Sequence, residues 1–258
     1  MNVHEFWVDR CEELSEENDF ADFKNWQRVR DIPLYSDFEY FQDYAFEVEI
    51  MIGESPRQQQ WEDFLKKGEP FCGHSKESFA KACKTLSSGI VTTPFRLKTL
   101  HHLLTFEEMR NKSILDYDHI IEFGAGIGDI AHAVFELGFK GSYQIVDLAE
   151  IIRISNYYLD DYAIEKWTNI NECIVSKNTL FIATWSLSEV PFSYRNQVVK
   201  KIKGSDYLIV FQKSFREINN TEYFINQWPY LTNSFYRIRQ LLFHEADKGS
   251  VYLIGKSN

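Results

Sequence analysis

The chain has 258 residues, of which 44% are hydrophobic and 16% aromatic, so it has enough apolar material for one large domain or a core with a cap. This composition excludes a disordered or low-complexity protein. The net charge of −10 disfavours nucleic acid as the main partner, because phosphate contacts need a basic surface. The four cysteines are widely spaced and form no C-x-x-C pair, which favours a reduced, cytoplasmic setting.

The start of the chain is acidic. Glu5 and Asp9 stand where a signal peptide would be basic and then apolar, and no run approaches 18 apolar residues. We therefore expect neither a targeting segment nor a membrane span.

The charge is unevenly distributed along the chain. Residues 1–118 carry 14 basic and 23 acidic side chains (14 − 23 = −9), whereas residues 119–258 carry 14 and 15 (14 − 15 = −1). The difference predicts two regions with different tasks. We expect a helical N-terminal cap over 1–118 and a ligand-binding domain over 119–258.

Helical patterns dominate the first region. Thr93 is a good capping residue and Pro94 a good first helical residue, so a helix is predicted from Pro94 to about Arg110. The other predicted helices span 6–17, 35–52, 58–67 and 75–86. The aromatic residues of this region predict the core of the cap, with a sugar-stacking wall as the alternative; they are Trp7, Trp26, Tyr35, Phe38 and Phe41.

From residue 119 the pattern alternates between strand and helix. Strands are predicted at 119–123, 142–148, about 170–175, 180–185, 207–211, 236–242 and 251–255. Helices are predicted at 129–137, 150–162, 192–203 and about 222–230. A turn at 247–249 would make the last two strands an antiparallel pair. The pattern predicts an α/β fold with a Rossmann-like, doubly wound, seven-stranded sheet and a terminal antiparallel hairpin, with ligands at the carboxyl ends of the strands.

Three alternating glycines, Gly124, Gly126 and Gly128, follow the first strand and precede a helix. This arrangement allows backbone N–H groups to approach a ligand closely, although a tight turn without a ligand is the alternative. A dinucleotide-binding G-x-G-x-x-G pattern would need glycine at position 129, which is Asp129. Glu122 and Asp129 would repel a pyrophosphate, whereas they would not repel a zwitterionic sulfonium such as S-adenosylmethionine.

An acidic residue also follows the second strand. Asp147 lies 19 residues after Gly128 (147 − 128), a distance at which a carboxylate can reach the hydroxyls of an adenosine ribose. The alternative is a helix cap for the segment that follows. Because the glycine turn lies upstream, we favour the ribose role for Asp147.

These segments resemble the class I S-adenosylmethionine-dependent methyltransferases. The resemblance rests on E-F-G-A-G-I-G-D at 122–129, I-V-D-L at 145–148 and T-W-S-L-S-E-V-P at 184–191. The sequence F-Q-K-S-F-R-E-I-N-N at 211–220 is similar to a branch of sugar O-methyltransferases from bacterial surface-polysaccharide clusters. The resemblance covers about residues 92–220, and the first 90 residues match no family that we can name.

The resemblance implies S-adenosylmethionine as cofactor, S-adenosylhomocysteine as product, and no metal. It implies that Glu122 lies near the methionine end, that the glycine backbone cradles the amino-acid moiety, and that Asp147 binds the ribose. It further implies that Leu148 packs by the adenine. The start of the fourth-strand segment would approach the methionine and the acceptor; these residues are Thr184, Trp185 and Ser186.

The expected acceptor is a sugar hydroxyl or a phosphate- or phosphoramidate-type oxygen of a bacterial capsule precursor. A hydroxyl needs a base, for which Glu189 is the leading candidate and charge at a helix N-terminus its alternative. His101 and His102 are further candidates, although ordinary helix histidines are the more frequent case, and His74 is another. An anionic oxygen needs polar and cationic groups instead; the candidates are Gln212, Lys213 and Arg216, with Arg96 and Lys98. For each of the cations, plain surface charge is the more frequent case.

Competing functions remain at this point. A non-catalytic methyltransferase-like partner subunit that binds the cofactor is the main alternative. A nicotinamide-dependent oxidoreductase is disfavoured by Asp129, and a nucleic-acid methyltransferase by the acidic charge and by the absence of an N/D-P-P-Y motif at 184–189. Apolar cap helices fit closure over the site or pairing into a homodimer equally well.

Overall fold

The computed structural model of the protein describes residues 38–66, 94–240 and 250–258. Several predictions concern residues outside these ranges. They are the helices at 6–17 and 75–86, the aromatic residues Trp7, Trp26 and Tyr35, the candidate base His74 and the hairpin turn at 247–249.

Three helices precede the sheet: α1 (Phe38–Glu54), α2 (Gln58–Lys66) and α3 (Pro94–Arg110). They form where the sequence predicts them, and α3 begins at the expected proline. Helix α3 packs against α1 on one side and against the sheet on the other. Trp61 of α2 is fully buried, and Arg57 joins the turn before α2 to α3 through an ion pair with Glu107. The extent of the predicted cap and the boundary at residue 118 stay predictions.

The remaining chain builds a seven-stranded mixed sheet in the order β3-β2-β1-β4-β5-β9-β8. Its strands are β1 (His119–Phe123), β2 (Ser142–Val146), β3 (Ile164–Trp167), β4 (Thr179–Thr184), β5 (Asp206–Gln212), β8 (Phe235–Gln240) and β9 (Ser250–Lys256). Strand β9 is antiparallel to both of its neighbours, β5 and β8. The Rossmann-like α/β class and the antiparallel terminal pair are confirmed.

Short elements connect these strands. The helices are α4 (Asp129–Glu136), α5 (Ala149–Tyr158), α6 (Phe192–Lys201) and α7 (Trp228–Thr232), with a π-helix (Glu222–Gln227) directly before α7. A small hairpin of β6 (Ser214–Phe215) and β7 (Ile218–Asn219) follows β5. The strand order reverses between β1 and β4, and this switch point is where ligands bind in open α/β sheets.

Alternate residues of each central strand enter two separate cores. In β1, Ile120 packs with Leu100 of α3 and Val134 of α4, whereas Ile121 packs on the opposite face with Val198 of α6. The period of two is that of a strand covered on both faces. Glu122 therefore faces the α3 and α4 side.

One predicted element is wrong, and a second has a different helix type over part of its length. The third strand was expected near 170–175, but β3 lies at Ile164–Trp167, and Ile170–Glu172 forms a 3₁₀ turn. The reason is visible at Ile174, whose backbone N–H and C=O both bond the side chain of Gln144, at 2.8 and 3.1 Å, rather than a neighbouring strand. The helix predicted at 222–230 is divided into a π-helix and α7.

No helix within the described ranges combines the length and the apolar character needed to cross a membrane.

Candidate functional site

The glycine turn between β1 and α4 has a backbone that suits glycine only. Gly124, Gly126 and Gly128 have φ values of 73°, 58° and 89°, in the left-handed region. Space is also restricted, because a Cβ on Gly124 would lie 2.1 Å from the Cβ of Ser186, and one on Gly128 would lie 2.3 Å from Leu159 Cδ1. The turn therefore brings its backbone close to neighbouring chain at the switch point.

Asp147 follows β2 and reaches this turn. Its Oδ2 accepts a hydrogen bond from the Gly126 N–H at 3.0 Å, and its Oδ1 accepts one from the Leu148 N–H at 2.7 Å. The N-cap of α5 is Leu148, without a side-chain cap, so Asp147 does not take the helix-cap role considered as its alternative. The structure thus brings together the predicted glycine turn, Asp147 and Leu148.

Glu122, near the end of β1, is a buried carboxyl group. It is 2% exposed and accepts a hydrogen bond from the Tyr143 hydroxyl at 2.7 Å. Burial raises the pKa of Glu122 to about 8, and the charges of Asp147 and Asp129 add to this shift. Burial likewise raises the pKa of Asp147 to about 7, against the backbone N–H groups that stabilise its charged form.

Asp129 is the third buried acid. It begins α4, and its Oδ2 accepts a hydrogen bond at 2.5 Å from the Thr99 hydroxyl of α3. Its Oδ1 is buried without a hydrogen-bond partner in the described part of the chain. Within that same part, neither Glu122, Asp147 nor Asp129 has an ion pair. The end of the site around the glycine turn is therefore complementary to hydrogen-bond donors and positive charge.

The end of β4 connects this turn to the other side of the sheet. Ser186 donates from its hydroxyl to the Phe123 carbonyl of β1 and packs against Gly124. Trp185 takes a φ of 64°, its N–H donates to Val210 O of β5 at 2.7 Å, and its indole N–H donates to Ser250 Oγ of β9 at 3.1 Å. A non-glycine residue in this backbone region is uncommon and marks a position that its surroundings constrain.

His101 and His102 are buried side chains of α3, at 1% and 2% exposure. Both Nδ1 atoms lie within hydrogen-bond distance of the Tyr252 hydroxyl of β9, at 2.8 and 2.6 Å. The His102 ring stands 5.2 Å from the Trp185 ring, and Lys98 Nζ lies 4.0 Å over that indole. The structure therefore brings His102 and Lys98 to the end of β4. Burial, followed by Lys98 and His101, holds the pKa of His102 well below its usual value.

The other residues predicted to bind or activate the methyl acceptor lie at or after the carboxyl ends of β4 and β5. Gln212 ends β5 opposite Ser250, and the exposed Lys213 and Arg216 follow it, Arg216 in the turn of the β6–β7 hairpin. Glu189 ends a 3₁₀ turn after β4 and is partly buried.

Two of these predictions need correction. Glu189 lies three residues before α6 begins at Phe192 (192 − 189), so it is not a first-turn charge of that helix. Arg96 is buried over the Phe64 ring, with its guanidinium carbon 4.6 Å from the ring centre, which places it in the packing of α3 on α2.

Sequence reasoning missed several polar residues of the site. Tyr143 was predictable in part, because it is paired with Ile120 in the β1–β2 register and shares the face of Glu122. Thr99 and Tyr252 gave no local signal, since their partners are 30 and about 150 residues away. Asn220 is fully buried, and neither of its carboxamide atoms has a hydrogen-bond partner among the described residues.

Residues 38–66, 94–240 and 250–258 contain no group of three or more histidine, cysteine, aspartate or glutamate side chains that could hold a metal ion.

No protein-family model matches the chain, and no curated protein sequence matches it significantly. Solved structures similar to it include an S-adenosylmethionine-dependent methyltransferase from Aquifex aeolicus, with 13% identity, 64% of this chain and 94% of that chain covered, and a TM-score of 0.46. They also include a candidate RNA methyltransferase from Pyrococcus horikoshii, with 12% identity, coverages of 79% and 97%, and a TM-score of 0.46. A third is PigF with S-adenosylhomocysteine, with 13% identity, coverages of 58% and 59%, and a TM-score of 0.42. All three TM-scores lie below 0.5.

Proposed function

We propose that this protein is an S-adenosylmethionine-dependent O-methyltransferase. The observation that carries the proposal is the set of three buried carboxyl groups around a turn of left-handed glycines, without an ion pair among the described residues. Such a site lacks positive charge, and Asp129 Oδ1 lacks a hydrogen-bond donor among the described residues. An adenosyl amino acid supplies both, as an ammonium group, a sulfonium and two ribose hydroxyls.

The glycine turn and the carboxyl groups of this site suit that ligand better than a dinucleotide. The backbone of Gly124, Gly126 and Gly128 would hold the amino-acid moiety, Asp147 the ribose, and Glu122 the region near the methionine end. A pyrophosphate placed at the start of α4 would meet Asp129, whose second oxygen is buried and lacks a hydrogen-bond partner among the described residues. Repulsion there disfavours a nicotinamide-dependent oxidoreductase.

When bound, S-adenosylmethionine supplies an electrophilic methyl group on a positively charged sulfur. The chain's own residues then mainly orient the acceptor and exclude water. Trp185, fixed by its hydrogen bonds to β5 and β9, would form the wall between the cofactor at the glycine turn and the acceptor.

The acceptor in this proposal is an oxygen of a bacterial surface-glycan precursor, such as a capsule sugar hydroxyl or its phosphate or phosphoramidate group, methylated in the cytoplasm. The resemblance of the segments 184–191 and 211–220 to sugar O-methyltransferases supports this class. Lys213 and Arg216, exposed beside the carboxyl end of β5, suit an anionic precursor. Glu189 and the α3 histidines are the candidates for a base if the acceptor is a hydroxyl.

The test is binding of S-adenosylhomocysteine, S-adenosylmethionine and NAD, measured by calorimetry and thermal unfolding. At about a hundred times its dissociation constant a ligand stabilises by roughly 2.7 kcal/mol, which is easily detected. We expect the two adenosyl ligands to bind and NAD not to bind, and Asp147→Ala to weaken binding at least tenfold.

The matched control is Asp206→Asn. Asp206 is also buried, but it lies at the other end of the sheet, at the start of β5, where Arg110 contacts it at 2.7 Å and the Tyr117 hydroxyl at 2.6 Å. This variant should lose stability and keep its ligand affinity. Binding of NAD alone would refute the cofactor, and cofactor binding without transfer to any acceptor would favour a non-catalytic partner subunit.

A further inference from the structure

Helices α1 and α3 and strand β9 contribute a row of titratable groups: Glu47, His101, Tyr252 and His102. Tyr252 places its hydroxyl between His101 Nδ1 at 2.8 Å and His102 Nδ1 at 2.6 Å. The other ring nitrogen of His101, Nε2, lies 4.0 Å from Oε1 of Glu47 on α1. The side chain of Glu47 is 31% exposed, whereas both histidines are almost completely buried. The row therefore leads from the protein surface into the layer beneath Trp185.

The hydrogen-bond partners determine which nitrogens carry protons. The Glu47 carboxylate lies 4.0 Å from His101 Nε2, too far for a hydrogen bond, but its negative charge favours a proton on that nitrogen, which makes His101 Nδ1 the acceptor in a neutral ring. The Tyr252 hydroxyl then donates to His101 and accepts from His102 Nδ1–H. In a neutral His102 the remaining nitrogen, Nε2, thus has a free lone pair.

The surroundings of His102 keep its ring neutral. Burial, the Lys98 charge and His101 all lower the pKa of His102. Lys98 on α3, His101 on α3 and Tyr252 on β9 are the titratable groups that face it from the two elements packed there. Its Nε2 is buried and has no hydrogen-bond partner within the described residues. A buried acceptor atom of this kind has a desolvation cost unless a ligand donates to it.

His102 is also at the right level of the fold. Tyr252 is paired with Val210, two residues before Gln212 at the carboxyl end of β5, and the His102 ring contacts Trp185 just after β4. Thr99, one helical turn before His102, holds Asp129 at the glycine turn. Helix α3 therefore extends from the glycine turn to the end of β4.

We infer that His102 accepts the proton of the acceptor hydroxyl at its Nε2, and that Tyr252, His101 and Glu47 pass a proton on to the surface. The inference rests on the proposed methyl transfer and specifies its acceptor as a group that must lose a proton, a hydroxyl rather than an anionic oxygen. His102 is the catalytic residue in this scheme, and the other three are positioning residues.

The proton balance closes. The hydroxyl proton goes to His102 Nε2, the Nδ1 proton of His102 goes to the Tyr252 oxygen, and the Tyr252 proton goes to His101 Nδ1. The Nε2 proton of His101 goes to Glu47 when the two side chains close their 4.0 Å separation, and Glu47 is a carboxylate before the step and a carboxylic acid after it. Each ring gains one proton and loses one, so both return to neutral with exchanged tautomers.

The first experiment reads the tautomers by long-range ¹H–¹⁵N NMR of imidazole-labelled protein at pH 7, with His101→Gln and His102→Gln used for assignment. We expect His102 protonated at Nδ1 and bare at Nε2, and His101 the reverse. In Tyr252→Phe the His102 signal should change to the Nε2-protonated form, because its Nδ1 proton loses its acceptor. A wild-type His102 protonated at Nε2 would overturn the relay.

The second experiment measures labelled-methyl transfer from S-adenosylmethionine to methyl glycosides and, separately, to phenyl phosphate. We expect transfer to the glycoside hydroxyl to fall at least 100-fold in His102→Gln and about tenfold in Tyr252→Phe, with the pH profile displaced. Glycoside transfer that survives both substitutions, or transfer by the wild type to phenyl phosphate alone, would overturn the inference. If neither probe is methylated, the tautomers decide.

Two controls separate this inference from the proposed function. His119→Asn alters a histidine at the other end of β1, 2.5 Å from Ser142 Oγ, and should leave the His101 and His102 spectra unchanged. S-adenosylhomocysteine affinity is measured on every variant. Failure of the wild type to bind it refutes the proposed function, whereas normal binding with the wrong tautomer refutes the relay alone.

Discussion

The two halves of the site differ in charge and in how the chain builds them. The half around β1 and β2 contains three buried acids, Glu122, Asp129 and Asp147, and its acids all lie within 26 consecutive residues, from 122 to 147. The half around α3, β4 and β9 contains imidazole, hydroxyl and ammonium groups that meet across about 150 residues. The comparison indicates one end suited to a cationic ligand and another suited to an acceptor that loses a proton.

The largest effect on stability is expected at Gly124, where the first half of the site contacts Ser186 of the second half. Gly124→Ala adds a Cβ that overlaps Ser186 at 2.1 Å, at a φ of 73°. Both the strain and the displaced turn are unfavourable, so we expect the free energy of unfolding to fall by about 4 kcal/mol. We also expect S-adenosylhomocysteine binding to be lost. Chemical denaturation and calorimetry measure the two effects.

The control for this substitution is Gly138→Ala. Gly138 has a φ of 97°, and a Cβ there would meet nothing within 4 Å. The cost should be limited to backbone strain, about 1 kcal/mol, with ligand binding retained. Equal losses in the two variants would show that contact with Ser186 is unimportant.

The next effect concerns Arg195, which holds the turn after β4. Its side chain is fully buried, donates to Val190 O at 2.8 Å and Ser188 O at 2.7 Å, and lies over the Tyr223 and Phe192 rings. Burial lowers the pKa of Arg195 to about 10, so it is charged at neutral pH.

Arg195→Leu should destabilise the protein by about 3 kcal/mol, because two buried carbonyl groups lose their donors. The melting temperature should fall by roughly 6–12 °C for a chain of this size. Lys200→Leu, on the exposed side of α6, is the comparison and should change stability by less than about 0.5 kcal/mol. A small effect at Arg195 would mean that the turn is held by other contacts.

The unequal origin of the two halves explains what the sequence could predict. The glycine turn, Asp147 and β1 follow from local rules: an apolar strand, three alternating glycines, and an acid after the next strand. The sequence names His101 and His102 as candidate bases but favours ordinary helix histidines, because Tyr252 becomes their partner only when β9 pairs with β5. The third strand was misplaced because Ile170 and Cys173 are buried without being in a strand.

A third prediction tests the acidity of the first half through pH. The pKa of Glu122 is raised from 4.5 to about 8 in the folded chain. Between these two pH values the folded state therefore binds more protons than the unfolded state. The stability of the unliganded protein should therefore fall as the pH rises from about 5 to about 8. In Glu122→Gln this slope should be reduced, with a gain of about 2 kcal/mol at pH 8 and a melting temperature higher by roughly 4–8 °C.

Tyr143→Phe is the contrasting variant. The Tyr143 hydroxyl stabilises the charged form of Glu122, so its removal should steepen the same slope rather than flatten it. Denaturant titrations at pH 5, 6.5 and 8 distinguish the variants. Equal slopes in the wild type and in Glu122→Gln would contradict a protonated Glu122 near neutral pH. Binding of S-adenosylhomocysteine should also tighten with rising pH, because its ammonium group favours the ionised carboxylate.

The smallest effect lies at the hydrogen bond between Thr99 of α3 and Asp129 at the start of α4. Thr99→Val keeps the shape of the side chain but removes the donor to Asp129 Oδ2, and Asp129 Oδ1 already lacks a partner among the described residues. Loss of this donor to a buried carboxyl group should lower the free energy of unfolding by about 1–2 kcal/mol.

Thr105→Val on the same helix is the matched control, since the Thr105 hydroxyl is fully buried and has no hydrogen-bond partner within the described ranges. That substitution should be neutral or slightly stabilising, because it removes an unsatisfied polar group. If both variants behave alike, the bond between Thr99 and Asp129 adds nothing to stability. If only Thr99→Val is destabilised and S-adenosylhomocysteine binds it more weakly, the glycine turn depends on α3, and the helix that contains the histidines also positions the cofactor half.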